Sequence, residues 1–237
     1  MQSAAGRANA TWNKFSAFRV LGDHEPMPGF RLVMRLAPTP DSLARLLSAR
    51  AERSDALDSE LARAIVRAGV GLLQSHFVSF AYATPEEIVA LIRLDAVAKV
   101  GSSLAVYDRL VSMYSSRMAV LLGDEAVVTG SIYEFPDLGI AQRAFIAAQE
   151  WVEEATPLRS AWRVSQQRAA KGEAVDSGAL ATTEGQAGVL RAAGVDLEKL
   201  PSWWWRGIAA RMRGDGGVEL YDEVPSGADL ASLIADE

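Results

Sequence analysis

Two adjacent glutamates, Glu86 and Glu87, follow Thr84-Pro85 between two β-rich runs at 76–83 and 88–94. Four residues between such runs suit a hairpin, which places both carboxylates at its tip or on the first residues of the returning strand. Another apolar run ends at Ala37. Paired carboxylates at a hairpin tip beside a strand end are where a two-ion Mg²⁺ site would be built, with water and substrate phosphates completing the octahedra. The spacing alone favours the plainer alternative, a solvated acidic turn.

The other unusual run is Trp203-Trp204-Trp205-Arg206. Successive side chains diverge by about 100° on a helix and about 180° on a strand, so one core cannot take all three rings. The residues favour a lid that packs a C-terminal unit onto the main sheet with one edge wet, over a platform stacking on a base. The ring left outside is expected at a protein–protein contact, since a monomer rarely leaves a large aromatic patch in water.

Composition removes several other chemistries. There are no cysteines, which excludes disulfides, thiolate metal sites and cysteine nucleophiles, and the two histidines are too few for a histidine-rich centre. His24 reads as a surface residue and His76 as an edge histidine beginning a strand. Neither lies in a nucleophile motif, Gly69-Val70-Gly71 lacks the third glycine of a dinucleotide fingerprint, and no phosphate-binding loop signature occurs. A formal charge of -6 argues against a surface wholly devoted to nucleic acid, although a local basic patch is compatible with it. Lysine occurs only at 14, 99, 171 and 199, and the arginine- and alanine-rich composition points to a GC-rich bacterial genome. That bias weakens the functional reading of any one arginine. No window approaches the roughly 20 apolar residues of a membrane span, and the N-terminal residues lack a signal-peptide core, so a cytoplasmic protein with no membrane contact is expected.

With 237 residues the chain can bury one sizeable core or two small ones. A strand is expected over 30–36, stopped by Ala37-Pro38-Thr39-Pro40. Two helices follow, the first to about Arg53 and the second capped by Ser54 or Asp55, with Leu57, Leu61, Ile65, Ala68 and Leu72 at helical spacing. After the hairpin come a helix over 104–122 ended by Gly123 and a strand over 126–135. Its inward stripe is read as Leu104, Leu110, Val111, Tyr114, Met118 and Leu121. Next come a helix to about Glu154 and another begun by Pro157. A mobile loop over 172–180, a short helix closed by Gly194, the tryptophan run and a terminal hairpin around Asp215-Gly216-Gly217 complete the chain. The order predicts an α+β fold, an antiparallel palm-like (ferredoxin-like) sheet covered on one face by helices. Residues 1–171 form its main domain, and 172–237 a C-terminal helix, tryptophan segment and hairpin packed on it.

Taken in order, several segments resemble the tRNA-His guanylyltransferase family and its Thg1-like relatives, which add nucleotides to RNA in the 3′-to-5′ direction. FRLVMRLAPTP resembles the first palm strand, which in the family ends in R-L-D-G. FAYATPEEIVALI resembles the hairpin with an S-D-E pattern, YDRLVSMYSSRMAVLL the following helix, GSIYEFP the strand with F-D-x-R, and VLRAAGVDLEKLPSWWWRGI the closing segment. The resemblance implies a palm holding two Mg²⁺ ions on two aspartates, in dimers or tetramers. It places the first metal aspartate at Ala37, with Pro38 for its glycine, and the second at Glu86, with Glu87 keeping the acidic partner. Arg109 falls on the helix lysine, Thr129 and Ser131 on the aspartate and arginine of F-D-x-R, Gln149 on the last residue of W-R-Q, and Ala155 near a later asparagine. The losses fall on the chemistry. They favour a degenerate binding or regulatory subunit that needs no cofactor, with glutamates 86 and 87 as vestiges and Arg109 and Gln149 as nucleotide contacts. Trp203, Trp204, Trp205 and Arg206 would form its interface in a homo- or hetero-oligomer, with an active paralogue, RNA or a nucleotide as partner. The alternative is an active Mg²⁺-dependent nucleotidyltransferase using Glu86, Glu87 and a displaced acid such as Asp41 or Asp95.

Overall fold

Alternation of apolar side chains drives the first strand, β1 (Arg31–Pro38), which buries Leu32, Met34 and Leu36 on one face and Val33 on the other. The computed structural model describes residues 12–234. β1 runs two residues beyond its expected stop. Pro38 is tolerated because the next amide, Thr39 N–H, points at Val127 O (2.9 Å), so the proline nitrogen faces the opposite side, past the last β3 pairing at Leu36–Ile88.

The remaining strands are β2 (Val78–Ala83), β3 (Ile88–Ile92), β4 (Val128–Phe135), β5 (Ile208–Met212) and β6 (Val218–Tyr221). They form one antiparallel sheet in the order β4-β1-β3-β2-β5-β6. The hairpin at 84–87 is present, and the C-terminal β5–β6 hairpin extends the same sheet from the outer edge of β2. His76 does not begin β2. Its φ of 58° closes the 3-10 turn Gly71–Ser75, and the strand starts two residues later.

Eight α-helices are found among the described residues: α1 (Pro40–Arg50), α2 (Ser59–Val70), α3 (Leu94–Val100), α4 (Ser103–Leu122), α5 (Leu138–Ala170), α6 (Thr183–Ala192), α7 (Ser202–Arg206) and α8 (Gly227–Leu233). Side-chain caps set several starts: Thr39 accepts from Ser42 N–H, Asp58 from Leu61 N–H and Ser102 from Ala105 N–H. α4 matches its expected span, yet Leu104 and Leu121 stay half exposed because the inward stripe runs through Val106, Leu110, Tyr114 and Met118. None of the helices is long and apolar enough to cross a membrane.

Two expectations are corrected. Pro157 does not start a new helix but lies inside the 33-residue α5. The turn before it is supported by the Thr156 hydroxyl, which donates to Val152 O at 2.7 Å, with the Arg159 guanidinium on the same carbonyl at 3.3 Å. The sheet is also covered on both faces. α1, α2 and α4 pack on the face of Leu32, Met34 and Leu36, while the first half of α5, α8 and the segment around Trp12 pack on the face of Val33, Tyr133 and Phe135.

Gly207 lets β5 join this sheet. Its φ of 71° and ψ of -169° belong to a region open only to glycine, and a Cβ there would meet Ala83 O at 2.7 Å.

Candidate functional site

The pleat of β1 sends Val33, Arg35 and Ala37 to the α5 side of the sheet. On β4 they face Tyr133, Ser131 and Thr129 in turn, and Arg35 faces Val89 on β3. Glu87, two residues before Val89, therefore shares this face. It is only 5% exposed, and the Arg35 guanidinium reaches its Oε2 through Nε at 2.7 Å and a terminal nitrogen at 2.6 Å. The hairpin is fixed from within. Thr84 N–H donates to Glu87 O (2.8 Å), and the Thr84 hydroxyl oxygen accepts from the amides of Glu86 (3.3 Å) and Glu87 (3.1 Å).

Glu86 faces the second half of α5. Its carboxylate lies 3.8 Å from Arg159 and 3.7 Å from Arg163. Arg163 is fully buried, donates to Leu57 O at 3.0 Å and Pro85 O at 2.6 Å, and sits 5.5 Å over the Trp204 ring. Burial pulls its pKa below the usual arginine range, with Glu86 opposing the shift. Three guanidiniums thus neutralise the two glutamates. Sequence reasoning missed Arg35, Arg159 and Arg163. The usable signal was the i,i+4 spacing of the last two, hidden by an arginine-rich background.

Ala37 lines a cleft of about 380 Å³ together with Trp12, Arg19, Arg35, Thr129 and Ser131. A Mg²⁺ pair does not fit these residues. Mg²⁺ demands several fixed oxygen ligands against its own hydration shell. Ala37 supplies none, one oxygen of Glu87 is held by Arg35, and Glu86 faces two guanidiniums. Among the described residues no group of three His, Cys, Asp or Glu could hold a metal. The displaced acids do not compensate. Asp41 is exposed on the first turn of α1 and does not line the cleft. Asp95 follows the far end of β3, where Arg93 and Lys99 hold its carboxyl down to about 2.

The remaining expected residues scatter. Arg109 is exposed on α4, on the opposite face of the sheet, 4.9 Å over the Phe77 ring. Gln149 is buried on α5 and donates to Pro225 O at 2.9 Å, which ties down the C-terminal segment. The three tryptophans occupy one short helix and divide as their geometry requires. Trp204 is buried, with its indole N–H donating to Ser160 Oγ (3.1 Å); Trp203 and Trp205 are half-buried, and Trp205 donates to Leu197 O (3.1 Å). Arg206 is exposed and pairs with Glu153 at 3.0 Å. His24 is more than a surface residue: its Nε2 lies 2.6 Å from Oε2 of the buried Glu134, whose other oxygen accepts from Met27 N–H at 2.5 Å.

No protein-family model matches the chain, and no curated protein matches it in sequence. Solved structures share its fold. A bacterial tRNA(His) guanylyltransferase (Thg1)-like protein in complex with ATP aligns at TM-score 0.59 and 15% identity, over 98% of this chain and 95% of that one. A bacterial protein of the same description in complex with GTP aligns at TM-score 0.55 and 14% identity, with the same coverage. The tRNA(His) guanylyltransferase of Saccharomyces cerevisiae aligns at TM-score 0.57 and 10% identity, over 84% of this chain and 92% of that one. The chain has the fold of these proteins, as the order of its segments implied.

Two outcomes follow from the charge pairs. Arg35→Met leaves Glu87 buried beside an uncharged side chain and should cost about 3–5 kcal/mol in urea unfolding, whereas adding Glu87→Met should restore most of it. Equal losses in the single and double variants would show that the ion pair is not what matters. The second outcome concerns His24, whose pKa is raised above 6.5 first by the hydrogen bond to Glu134 and then by the Gly22 carbonyl. A raised folded-state pKa means stabilisation that is complete below 6.5 and lost as pH rises through the folded value. The Tm gap between wild type and His24→Gln should therefore narrow as pH rises above about 6.5; a gap that widens would contradict it.

Proposed function

We propose that the protein is a catalytically silent relative of the nucleotidyltransferases whose fold it shares, acting as a binding or regulatory subunit. One observation carries this reading: the carboxylates at the 84–87 hairpin are paired with Arg35, Arg159 and Arg163, and the strand position facing them is Ala37. Two-metal transfer depends on carboxylates free to hold both ions, which align the attacking and leaving oxygens and neutralise developing charge. Losing either effect costs several kcal/mol in the transition state, and each 1.36 kcal/mol is about tenfold in rate. A guanidinium supplies positive charge without ligand positions and cannot activate a nucleophile as a bound ion does.

The partner in this reading is another protein chain, a second copy or an active paralogue. The half-buried edges of Trp203 and Trp205 and the exposed Arg206 are the side chains assigned to that contact. Tryptophan and arginine are the residue types that most often dominate interface energetics.

The decisive assay supplies Mg²⁺, labelled GTP and a tRNA lacking the extra 5′ nucleotide, and no label should enter the RNA. Ala37→Asp alone should remain inactive, because Thr129, Ser131 and Ala155 still lack the polar groups of the family pattern. Steady incorporation abolished by Glu86→Ala would establish the active alternative instead. Light scattering tests the contact: Trp205→Ala and Arg206→Glu should lower the assembled mass while preserving the circular dichroism of the fold. An unchanged mass in both variants would remove this surface as the interface.

A further inference from the structure

Resting on that reading, we propose that the free edge of β6 takes up an extended, basic segment of a partner protein as a further strand of the six-stranded sheet. The register with β5 decides which backbone groups are available. Arg213 N–H donates to Gly217 O at 2.8 Å, and the pairs Arg211–Glu219 and Ala209–Tyr221 follow at intervals of two. Hydrogen-bonded pairs alternate along an antiparallel ladder, so residues 217, 219 and 221 face β5, while the N–H and C=O of Val218 and Leu220 point outward. Among the described residues none bonds to these four groups.

The two edges of the sheet differ. Along β4 the chain covers part of the edge itself, with Val20 N–H on Ile132 O at 2.9 Å and a bridge between Arg19 and Tyr133. Among the described residues no segment lies along β6 in this way. Edge strands are normally guarded by lysine, proline, a bulge or an inward charge. β6 has neither lysine nor proline, its register is unbroken, and its one charge, Glu219, is turned back onto Arg211 of β5 at 2.7 Å. Val218 and Leu220 share the other face, opposite Met212 and Ala210, and are 39% and 60% exposed. A bare ladder with alternating apolar side chains is what strand addition uses: main-chain bonds give affinity and alternate side chains give specificity.

Charge selects the occupant. Around β6 the carboxylates of Asp215, Glu219, Asp222 and Glu223 meet two guanidiniums, and these are taken, Arg211 by Glu219 and Arg213 by Asp215. Asp222 and Glu223 are exposed just past the end of β6 and have no cationic partner among the described residues. Pairing β6 with β6 of a second copy would gather this surplus at one seam, where like charges repel. An antiparallel partner instead brings its N-terminal end there, so lysine or arginine at that end, followed by alternating apolar residues, fits. The edge also adjoins the surface assigned above, since the Ser202 hydroxyl at the start of α7 donates to Asp222 O at 3.1 Å.

Calorimetry on the full chain tests the edge with the blocked peptide Ac-KKTVTVT-NH2, whose valines would oppose Leu220 and Val218 and whose lysines would oppose Glu223 and Asp222. It should bind, and more weakly as salt rises. N-methylation of both valines removes the bonding amides but keeps the side chains, and should cut affinity by at least about tenfold. Leu220→Pro deletes one outward N–H and none that faces β5, so it should weaken the unmethylated peptide similarly with Tm near wild type. Asp222→Lys combined with Glu223→Lys should transfer preference to Ac-EETVTVT-NH2. The proposal is overturned by no binding, by equal affinity for the methylated or the acidic peptide on the wild-type chain, or by affinity unchanged in a folded Leu220→Pro. Self-association of the wild-type chain that Leu220→Pro abolishes would assign the edge to a second copy and overturn it too. Failure of the silent reading looks different: label entering tRNA would sink that reading and leave peptide binding at the edge standing.

Discussion

The Arg35–Glu87 pair sits where β1 and β3 run out of backbone partners, and the end of the sheet is organised around it. Burying the Glu87 carboxylate at 5% exposure calls for a cation close by, because transferring a charge from water costs several kcal/mol even after relaxation. Arg35 provides that cation from the neighbouring strand, at a position fixed by the pairing of Arg35 with Val89. Glu87 can then stay on the inner face, the Thr84 hydroxyl can close the turn, and Glu86 is left pointing at α5. From that follows the demand on α5, which has to bring guanidiniums to meet it.

That demand explains the uninterrupted α5. A helix ending near Glu154, with a separate one begun by Pro157, would leave the direction of the second free, and Arg159 and Arg163 would have no fixed route to Glu86 and Pro85 O. Continuity fixes both on one side of the rod, one turn apart. Proline inside a helix costs about 3 kcal/mol or more through a lost hydrogen bond and a clash. The cost is offset by burial along both halves: Phe145 and Val152 against the sheet, and Leu158, Ala161 and Val164 against Leu57 and Trp204. An arginine set of this kind resembles a metal site in charge alone. It is covalently attached, always present and without vacant ligand positions, and it holds the hairpin in place.

Which parts of this were legible in the sequence follows from which forces are local. β1, the 84–87 hairpin and α4 were readable because alternation, turn residues and the Ser102 and Gly123 ends act within a few residues. The sheet order, with β5 beside β2, depends on Gly207 reaching a backbone region open only to glycine, and no pattern of neighbours announces that. α5 was split because proline is a strong local signal, and only tertiary packing overrides it. Glu86 lies in the hairpin turn and Ala37 on the first strand where the sequence placed them, but the side chains packed against them were not foreseen. Arginine was discounted for its abundance, and the partner of each guanidinium lies 52 to 77 residues away along the chain, from Arg35–Glu87 to Arg163–Glu86. Arg109 and Gln149 were carried over by position in the chain, and position does not fix which face of the sheet a side chain serves.

The C-terminal segment belongs to the same electrostatic frame. Trp204 lies over Arg163, donates to Ser160 on α5, and so covers the helix at the level of its buried guanidinium. Arg206 pairs with Glu153, about two turns before Ser160 on that helix. Excluding water from a charge raises the value of each remaining partner, because the local dielectric falls. Arg163 is therefore held more firmly by Leu57 O, Pro85 O and Glu86 with the indole in place than it would be in an open groove. The same lid leaves Trp203 and Trp205 half-covered, since a single turn of helix can commit only one of three consecutive rings to the interior. Sealing the arginine and exposing two indole edges are thus one event, which links the neutralised hairpin on one side of α7 to the half-covered rings on the other.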